Sequence, residues 1–591
     1  MITSQLAYWA IVDLAAIVFL GANFYFRRRI IPGPALDYRT WSAALIGQCL
    51  PQATVLISFA LLLQMIIAPL LLMSTALVCL LYANNRKFLL LNEPLTPSDI
   101  ALNIRQPHSW PLLARYVRRS RYLIWVLPAA LAVNVAALVC EPWLFGRYWF
   151  SLAALSVVPM AVVFAPLRGK SLIIRLLDAW EVPFWDYDLP TSVAAGGFLT
   201  TFVRCLDNVP RPAIRSLNEA SAATILAKRF GDGDLLSLSP QRKPHIVVVL
   251  AEAFMDPRSM GLLVDPDPLT AYDDAVRRSV YHGSSWVPVY GGWTVRSEYS
   301  LLTGINLASF CNNVGNPNTT LVRSGTHSLP KHLKSLGYRT AIIHPHDRRF
   351  YGRDNACISL GFDRFLDEHD FAEAPREGLY VSDVAIAARI EEELRRAAEP
   401  TFLYCVTMEN HGPWDDEVAA PTPPFTTQPR LSREGHLSFA HYLRHLRSAN
   451  SMIRRLTDMV IVAETPTLLL LVGDHLPSMT ALFREIAFPM FDAKATEWAA
   501  TAPWLQTPYF LLSNMHSDRQ QMDCDISFLP GLLLDCAGLN GDRFFHANSA
   551  MRQRLNGNIH SDADAMAREA YLRVCYEIAA FPERYASAPR Q

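Results

Sequence analysis

Five long apolar stretches fall within the first 170 residues of this 591-residue chain, and they constrain its fold more than any other feature. Most of them approach the roughly 20 residues that an α-helix needs to cross the hydrocarbon of a bilayer. The first is too long for a cleaved signal peptide, and its basic cluster follows it instead of preceding it. The sequence therefore predicts about five transmembrane helices, at residues 6–26, 41–63, 65–82, 122–139 and 149–164.

The charges beside these stretches do not fix the side of the membrane on which the rest of the chain lies. Residues 27–29 are all arginine, and the loop 84–121 carries seven Lys and Arg, so both segments look cytoplasmic by the positive-inside rule. With five spans, that assignment puts the C-terminal part inside as well. If the chain has four spans instead of five, the same charges place the C-terminal part outside.

Overall charge and cysteine content exclude little. The net charge is zero at pH 7, which gives no electrostatic case for binding nucleic acid. The ten cysteines show no zinc-type spacing, and Cys524, Cys536 and Cys575 are candidates for pairing only in an oxidising compartment.

Apolar strand-like runs alternate with helical patterns from Pro244 onward. This alternation is typical of an α/β domain with a mainly parallel sheet flanked by helices. The predicted strands are 245–250, 340–343, 401–407, 467–472 and 508–512. We therefore expect a transmembrane domain at 1–166, an amphipathic connector at 167–240 and a catalytic domain at 241–591.

Polar residues with metal-binding chemistry follow the predicted strands. Glu252 comes after the first strand, and Asp474 and His475 come after the fourth. Ligands gather where the carboxyl ends of parallel strands meet. Two carboxylates and an imidazole suit a divalent cation, and the hydroxyl of Thr294, in the Gly-Gly-Trp-Thr turn, would be a nucleophile beside it.

These residues stand in motifs that resemble the alkaline phosphatase/sulfatase superfamily. Within it, the chain is most similar to the membrane-anchored phosphoglycerol transferases of the lipoteichoic acid synthase type. The matching motifs are Glu252 after a strand, the turn 292–298, the Leu-Leu-Thr-Gly run 301–304 and the Gly-Asp-His turn 473–475. The resemblance implies that Glu252, Thr294, Asp474 and His475 bind the metal and that Thr294 is the catalytic nucleophile.

A second segment resembles the part of that family that binds the phosphoglycerol head group. It runs from residue 344 to 353, and by resemblance the substrate-binding residues are His344, His346, Tyr351 and Arg353. His346 stands where the family usually has Asp, and Tyr351 where it usually has Trp. His411, in Glu-Asn-His-Gly-Pro, matches a later active-site histidine of the family.

The resemblance implies transfer of phosphoglycerol from phosphatidylglycerol to an envelope glycan or glycolipid through a phospho-Thr intermediate. It also implies one divalent cation, Mn²⁺ by our expectation with Zn²⁺ or Mg²⁺ as alternatives. The protein would be a multi-pass protein of the inner cell membrane with an extracytoplasmic catalytic domain, against the charge of residues 84–121.

Other functions stay open. The same residues would serve a phosphoethanolamine transferase, or a phosphodiesterase that uses water as acceptor. A sulfatase needs Cys or Ser in a Cys-x-Pro-x-Arg context, whereas position 294 is Thr followed by Val-Arg-Ser, which argues against sulfate-ester hydrolysis. Retention of every metal ligand argues against a catalytically silent membrane regulator.

Overall fold

The protein divides into two compact units, Met1–Val209 and Pro210–Gln591, and the division falls inside the segment that we interpret as a connector. The computed structural model describes residues 38–91, 93–105, 121–141, 155–164, 166–167, 170–184, 189–207, 211–230, 242–310, 314–412, 414, 424–488, 502–539 and 541–583. The expected boundaries at 166 and 240 remain a prediction.

The described part of the first unit is helical apart from a short hairpin of Pro166–Leu167 with Lys170–Ser171. Its helices are α1 (Tyr38–Leu63), α2 (Ile67–Leu91), α3 (Pro97–Arg105), α4 (Arg121–Cys140), α5 (Val157–Phe164), α6 (Leu172–Ala179), α7 (Leu189–Gly196) and α8 (Phe198–Arg204).

One helix in the described residues is long and apolar enough to cross a membrane, and its apolar part is Ile67–Phe88. The apolar parts of α1 and α4, Cys49–Leu63 and Trp125–Cys140, are shorter. The predicted span 6–26 and the first residues of the predicted span 149–164 lie outside the described residues. The five-span prediction is therefore not established.

Glu141, at the end of α4, forms hydrogen bonds with the backbone at the beginning of α2. Its carboxylate accepts hydrogen bonds from the backbone N–H groups of Ile66 and Ile67, each at 2.8 Å, and of Ala68 at 2.7 Å. The first N–H groups of a helix have no partner inside the helix, so a buried helix start needs an acceptor of this kind.

A nine-stranded sheet is the centre of the second unit. Its strands are β1 (His245–Ala251), β2 (Tyr281–Trp286), β3 (Arg339–Ile343), β4 (Arg364–Leu366), β5 (Thr401–Val406), β6 (Thr467–Gly473), β7 (Gln506–Ser513), β8 (Gln520–Gln521) and β9 (Cys524–Asp525). Their order is β8-β2-β7-β6-β1-β5-β3-β4, with β9 also paired to β2.

The sheet is mixed, because β7 runs antiparallel to both of its neighbours, β6 and β2. All other pairings in the sheet are parallel. The predicted α/β domain is thus confirmed, and its sheet is mainly parallel with one reversed strand that the sequence did not predict. The run 508–512 lies in that strand, and an apolar run carries no information about strand direction.

Helices cover both faces of this sheet. They are α9 (Glu219–Phe230), α10 (Thr270–Arg278), α11 (Thr294–Thr303), α12 (Pro317–Thr320), α13 (Leu329–Ser335), α14 (Arg353–Leu360), α15 (Asp383–Arg395), α16 (Arg433–Val462), α17 (Thr480–Glu485), α18 (Leu529–Cys536), α19 (Arg543–Arg554) and α20 (Ala565–Ala580).

Strand β1 shows why its sequence is continuously apolar. Ile246, Val248 and Leu250 belong to one cluster of buried side chains, with helices such as α11 and α18. The alternate residues Val247 and Val249 belong to a second cluster, with α10, α15 and α16. Because successive side chains of a strand point to opposite faces, a sheet covered on both sides buries every position.

The central strands bring distant residues to one edge. Strands β1 and β6 are parallel neighbours, and Gly473 pairs with Ala251 at their carboxyl ends. Glu252 and Asp474 follow at once, so they leave the sheet side by side. The nine cysteines within the described ranges are free thiols, including Cys524, Cys536 and Cys575.

Candidate active site

Glu252, Asp474 and His475 form a buried cluster whose potential ligand atoms all lie within 4.8 Å of one another. His475 Nε2 is 3.1 Å from Asp474 Oδ2 and 3.7 Å from Glu252 Oε1. His475 Nδ1 lies 3.0 Å from the Leu476 carbonyl oxygen, which can only accept, so Nδ1 carries the proton. The lone pair of the buried Nε2 then points at the carboxylates with no hydrogen-bond partner in the described structure.

The electrostatics of this cluster fit a cation. Burial raises the pKa of Glu252 well above its usual value, and the nearby Asp474 carboxylate raises it further. Burial also raises the pKa of Asp474. Two carboxylates and an imidazole nitrogen, buried together, are the ligand set of a divalent cation with mixed oxygen and nitrogen preference. The residues present therefore fit the metal that the sequence predicts.

Thr294 stands beside this cluster at the beginning of α11. Its hydroxyl donates to Asp474 Oδ2 at 2.8 Å, and it is almost fully buried. The Ser297 hydroxyl, one turn later, donates to the Asp474 carbonyl oxygen at 2.6 Å. Thr294 is the first residue of a ten-residue helix. The unpaired N–H groups and positive end of the helix dipole at that position favour a phosphate group.

Hydrogen bonds from residues in distant segments hold the turn that contains Glu252. Ala253 has a left-handed backbone, with φ 47°, and its N–H donates to Asp474 Oδ1 at 2.8 Å. Its carbonyl oxygen accepts from the Tyr442 hydroxyl at 2.9 Å and from Asn410 Nδ2 at 3.2 Å. Sequence reasoning missed Tyr442, because nothing in the pattern of a long helix marks one tyrosine as reaching a strand end.

The predicted head-group residues lie on the segments that follow β3 and β5. His344 is fully buried, with Nδ1 3.1 Å from the Val406 carbonyl oxygen, and its buried Nε2 has no partner within the described residues. Burial and the charge of Arg353 hold the pKa of His344 well below its usual value, so the imidazole is neutral. The His346 ring lies 5.9 Å from the His344 ring. His411 Nδ1 is 2.8 Å from the Gly412 carbonyl oxygen.

Arg353 is engaged inside the protein. Its Nε lies 3.1 and 3.2 Å from the two carboxylate oxygens of Glu298, and its Nη2 lies 2.5 Å from Oε1. Both side chains are buried. The edge of the guanidinium that we expected to face a phosphate therefore faces Glu298, a residue that sequence reasoning used only as part of a motif.

Direct contacts show that the head-group residues lie next to the metal-ligand cluster. The ring of Trp293, which precedes Thr294, stacks on Tyr351, and Arg353 pairs with Glu298 of α11. The charge of Glu252 acts on the Tyr351 hydroxyl and raises its pKa, after the larger effect of burial. After the larger effect of burial, the charges of Arg353, His346 and His411 lower the pKa of His344. The structure thus brings all nine sequence-predicted site residues to the carboxyl edge of the sheet.

Comparisons with known proteins agree with this geometry. A family model described as Sulfatase matches residues 244–539, half of the chain. The capsular polysaccharide biosynthesis protein RkpI of Rhizobium meliloti is 26% identical over 479 residues, which cover 77% of this chain and 80% of the relative. The lipoteichoic acid synthase of Staphylococcus saprophyticus is 25% identical over 193 residues, 31% of this chain and 28% of the synthase.

Among solved structures, the Streptococcus pyogenes phosphoglycerol transferase GacH, in complex with sn-glycerol-1-phosphate, superposes with a TM-score of 0.53 at 18% identity. The match covers 63% of this chain and 96% of that chain, and it shows a shared fold. With the family match and the lipoteichoic acid synthase relative, it confirms the resemblance drawn from the motifs. The chain belongs to the sulfatase family of the alkaline phosphatase superfamily.

Proposed function

We propose that this protein is a membrane-anchored, metal-dependent phosphoglycerol transferase that works through a phospho-Thr294 intermediate. The observation that carries the proposal is the placement of Thr294, whose hydroxyl lies 2.8 Å from Asp474 Oδ2 at the beginning of α11. A hydroxyl in that position combines an adjacent carboxylate with a helix end suited to hold the phosphate it acquires.

The chain's own residues supply most of the chemistry. When bound by Glu252, Thr294, Asp474 and His475, a divalent cation would stabilise negative charge on the phosphate oxygens. Mn²⁺ is the expected ion, with Zn²⁺ and Mg²⁺ as alternatives. Asp474 Oδ2 orients the hydroxyl of Thr294 through the hydrogen bond that it accepts, and it is placed to receive the proton during attack.

The proposed reaction has two displacements at phosphorus. Thr294 Oγ1 forms a bond to phosphorus of phosphatidylglycerol, and the bond to the diacylglycerol oxygen breaks. The proton lost by Thr294 ends on the released diacylglycerol. A hydroxyl of the acceptor then attacks phosphorus, the bond between phosphorus and Thr294 Oγ1 breaks, and the proton lost by the acceptor restores the hydroxyl of Thr294.

The second group of residues binds the donor in this proposal. The neutral His344 offers Nε2 as an acceptor for a glycerol hydroxyl, because its Nδ1 is committed to Val406. His346 and His411 complete this donor site, and the Tyr351 ring packs against Trp293 instead. Arg353 acts on the phosphate through its charge, since Glu298 occupies its Nε and Nη2 edge.

The acceptor is proposed from chemistry and from a relative. A phosphoglycerol group is transferred to an alcohol, and polysaccharides present many. The match to a protein named for capsular polysaccharide biosynthesis supports an envelope glycan or glycolipid as acceptor. We propose that the catalytic unit is extracytoplasmic, at the inner cell membrane, where such acceptors lie.

Mass spectrometry of the full-length protein tests this function. The protein is incubated with metal and phosphatidylglycerol vesicles, quenched, and digested, and the peptide that contains Thr294 is examined. We expect a mass gain of one glycerophosphoryl group on Thr294. A phosphoethanolamine adduct formed only from phosphatidylethanolamine would identify the alternative transferase. Donor cleavage without an adduct would indicate a phosphodiesterase, and no reaction with either lipid would indicate a silent regulator.

A further inference from the structure

Two bulky aromatic residues beside the nucleophile have left-handed backbone conformations. Trp293, immediately before Thr294, has φ 60° and ψ 38°. Tyr351 has φ 59° and ψ 11°. For a side chain of this size, that region of φ and ψ is strained, and such residues persist only where their surroundings hold them. Strain of this kind collects at functional sites.

Their side chains hold each other. The rings of Trp293 and Tyr351 are stacked, with centroids 5.6 Å apart and planes 26° from parallel. The Arg296 guanidinium lies 5.2 Å from the centroid of the Trp293 ring, and the Arg353 guanidinium lies 5.2 Å from that of Tyr351. The result is a series of four side chains in contact, Arg296–Trp293–Tyr351–Arg353, which we call the stack, and each contact is of a recognised favourable type.

Both end residues of the stack also form hydrogen bonds to other parts of the protein. Arg353 at its outer end pairs with Glu298, which lies on the same helix as Arg296 and Thr294. At the other end, Arg296 Nε donates to the Gly315 carbonyl oxygen at 3.1 Å. Two strained turns that are far apart in the chain are therefore joined by the ring contact and by the Arg353–Glu298 pair, and Thr294 directly follows one of these turns.

We propose that the Trp293–Tyr351 stack positions the Thr294 hydroxyl for attack, so that Tyr351 acts as a positioning residue through its ring. The inference rests on the proposed function. Thr294 follows Trp293 directly, so a change in the Trp293 backbone would swing the hydroxyl away from Asp474. The Tyr351 ring is in contact with Trp293, Phe350 and Arg353, so its neighbours are side chains of the protein itself. A displacement of about 1 Å at a reacting atom can cost on the order of 10²-fold in rate.

Three substitutions of Tyr351 distinguish the effect of its ring from the effect of its backbone conformation. Tyr351→Phe keeps the ring, Tyr351→Ala removes it, and Tyr351→Gly removes it while fitting φ 59° without strain. The measurement is the single-turnover rate of adduct formation on Thr294 of the full-length protein, as a function of phosphatidylglycerol concentration in vesicles. Metal content and the midpoint of thermal unfolding are recorded for each variant.

We expect Tyr351→Phe to keep most of the parent rate, and both Tyr351→Ala and Tyr351→Gly to lose about 10- to 100-fold at saturating donor. The donor concentration at half-maximal rate and the metal content should stay those of the parent. Asn556→Gly replaces another left-handed residue, at φ 48° and outside the site, and should leave the rate unchanged. If the tyrosine variants do not fold, Trp293→Phe and Trp293→Leu make the same comparison from the other ring.

Three results would overturn the inference. A parent-like rate in Tyr351→Gly would mean that only the backbone matters. An unchanged saturating rate with a raised half-maximal donor concentration would make Tyr351 a donor contact. A parent protein that forms no adduct would refute the proposed function itself, and the inference with it.

Discussion

Arg353 and Glu298 form a buried two-pronged ion pair, with Arg353 Nε 3.1 Å and Nη2 2.5 Å from Glu298 Oε1. The two side chains are 2% and 6% exposed, so neither charge has water to replace its partner. The pair joins α11, which begins at the proposed nucleophile Thr294, to the beginning of α14. A substitution that breaks this pair should therefore lower the stability of the fold together with any activity that depends on the pair.

Arg353→Ala should destabilise the protein as well as slow transfer. Removing one partner leaves the other as an uncompensated buried charge, which typically costs about 3–5 kcal/mol. Thermal unfolding in detergent should show a clearly lower midpoint. The pair Arg455–Glu391 is also two-pronged, at 2.8 and 2.7 Å, but more exposed, so Arg455→Ala should cost about 1 kcal/mol or less. Equal midpoints for the two variants would contradict this.

Metal binding should depend on ligands from both central strands. Glu252→Ala and Asp474→Ala should each abolish stoichiometric binding of a divalent cation, because the cluster has no spare ligand within the described residues. Elemental analysis after dialysis against excess metal gives the readout. Asp458→Ala, which removes an exposed carboxylate from α16, is the control and should retain full metal. Full occupancy in Glu252→Ala would remove that residue from the site.

Thr294→Ala should remove turnover while preserving the fold and most of the metal. Water can replace one ligand, but it cannot replace the group that carries the covalent intermediate. The loss should exceed the about 10²–10⁴-fold effect of removing a general acid–base group. Thr294→Ser keeps the hydroxyl and should retain part of the activity. Cleavage of phosphatidylglycerol is compared at equal metal loading, and parent-like cleavage by Thr294→Ala would favour a metal-assisted phosphodiesterase.

The catalytic unit should face the exterior of the cytoplasmic membrane. This expectation comes from the family resemblance and opposes the seven basic residues in the loop 84–121. A phosphatase reporter fused after residue 240 should be active, and a fluorescent protein that matures only in the cytoplasm should be dark at the same position. The opposite pattern would show that the charge rule holds for this chain.

Asp525 should make the fold less stable as the pH rises from about 4 to 6. Burial raises its pKa to about 6, against the lowering effect of hydrogen bonds from Ser527 and Asn306. The folded state thus holds a proton that the unfolded state, with a pKa of about 3.9, releases earlier. That stabilisation is present below about pH 4 and is lost as the pH passes 6.

Asp525→Asn isolates this effect, because all three described hydrogen bonds to the Asp525 side chain end on Oδ1 and an amide oxygen can accept them. Unfolding midpoints of the parent and variant are compared from pH 4 to pH 8. As the pH rises through this range, the unfolding midpoint of the variant should increase relative to that of the parent. A constant difference between the two proteins would show that the carboxyl does not titrate there.

The candidate metal ligands and the proposed nucleophile could be predicted from the sequence for a physical reason. Glu252, Asp474 and His475 directly follow continuous apolar runs, and parallel strands place such positions at one edge. Thr294 lies in a short turn with a recognisable motif. The proximity of all four in the structure agrees with the prediction, and their roles await the experiments above.

The remaining contacts could not be predicted, because they depend on side-chain packing between distant segments. Arg353 and Glu298 are 55 residues apart, and their pairing follows from how α14 meets α11. Tyr442 reaches Ala253 across 189 residues. The strands β4, β8 and β9 have two or three residues each, too few for any hydropathy pattern to show.

The neighbouring positions of β1 and β6 have a consequence for biosynthesis. Residues 251 and 473 pair in the sheet although 221 residues of chain lie between them. A growing or prematurely terminated polypeptide that ends before residue 474 has Glu252 and Thr294 but neither Asp474 nor His475. The proposed metal site can therefore form only after residue 475 has been synthesised and the two central strands have paired. A truncated product that ends earlier would lack the site altogether.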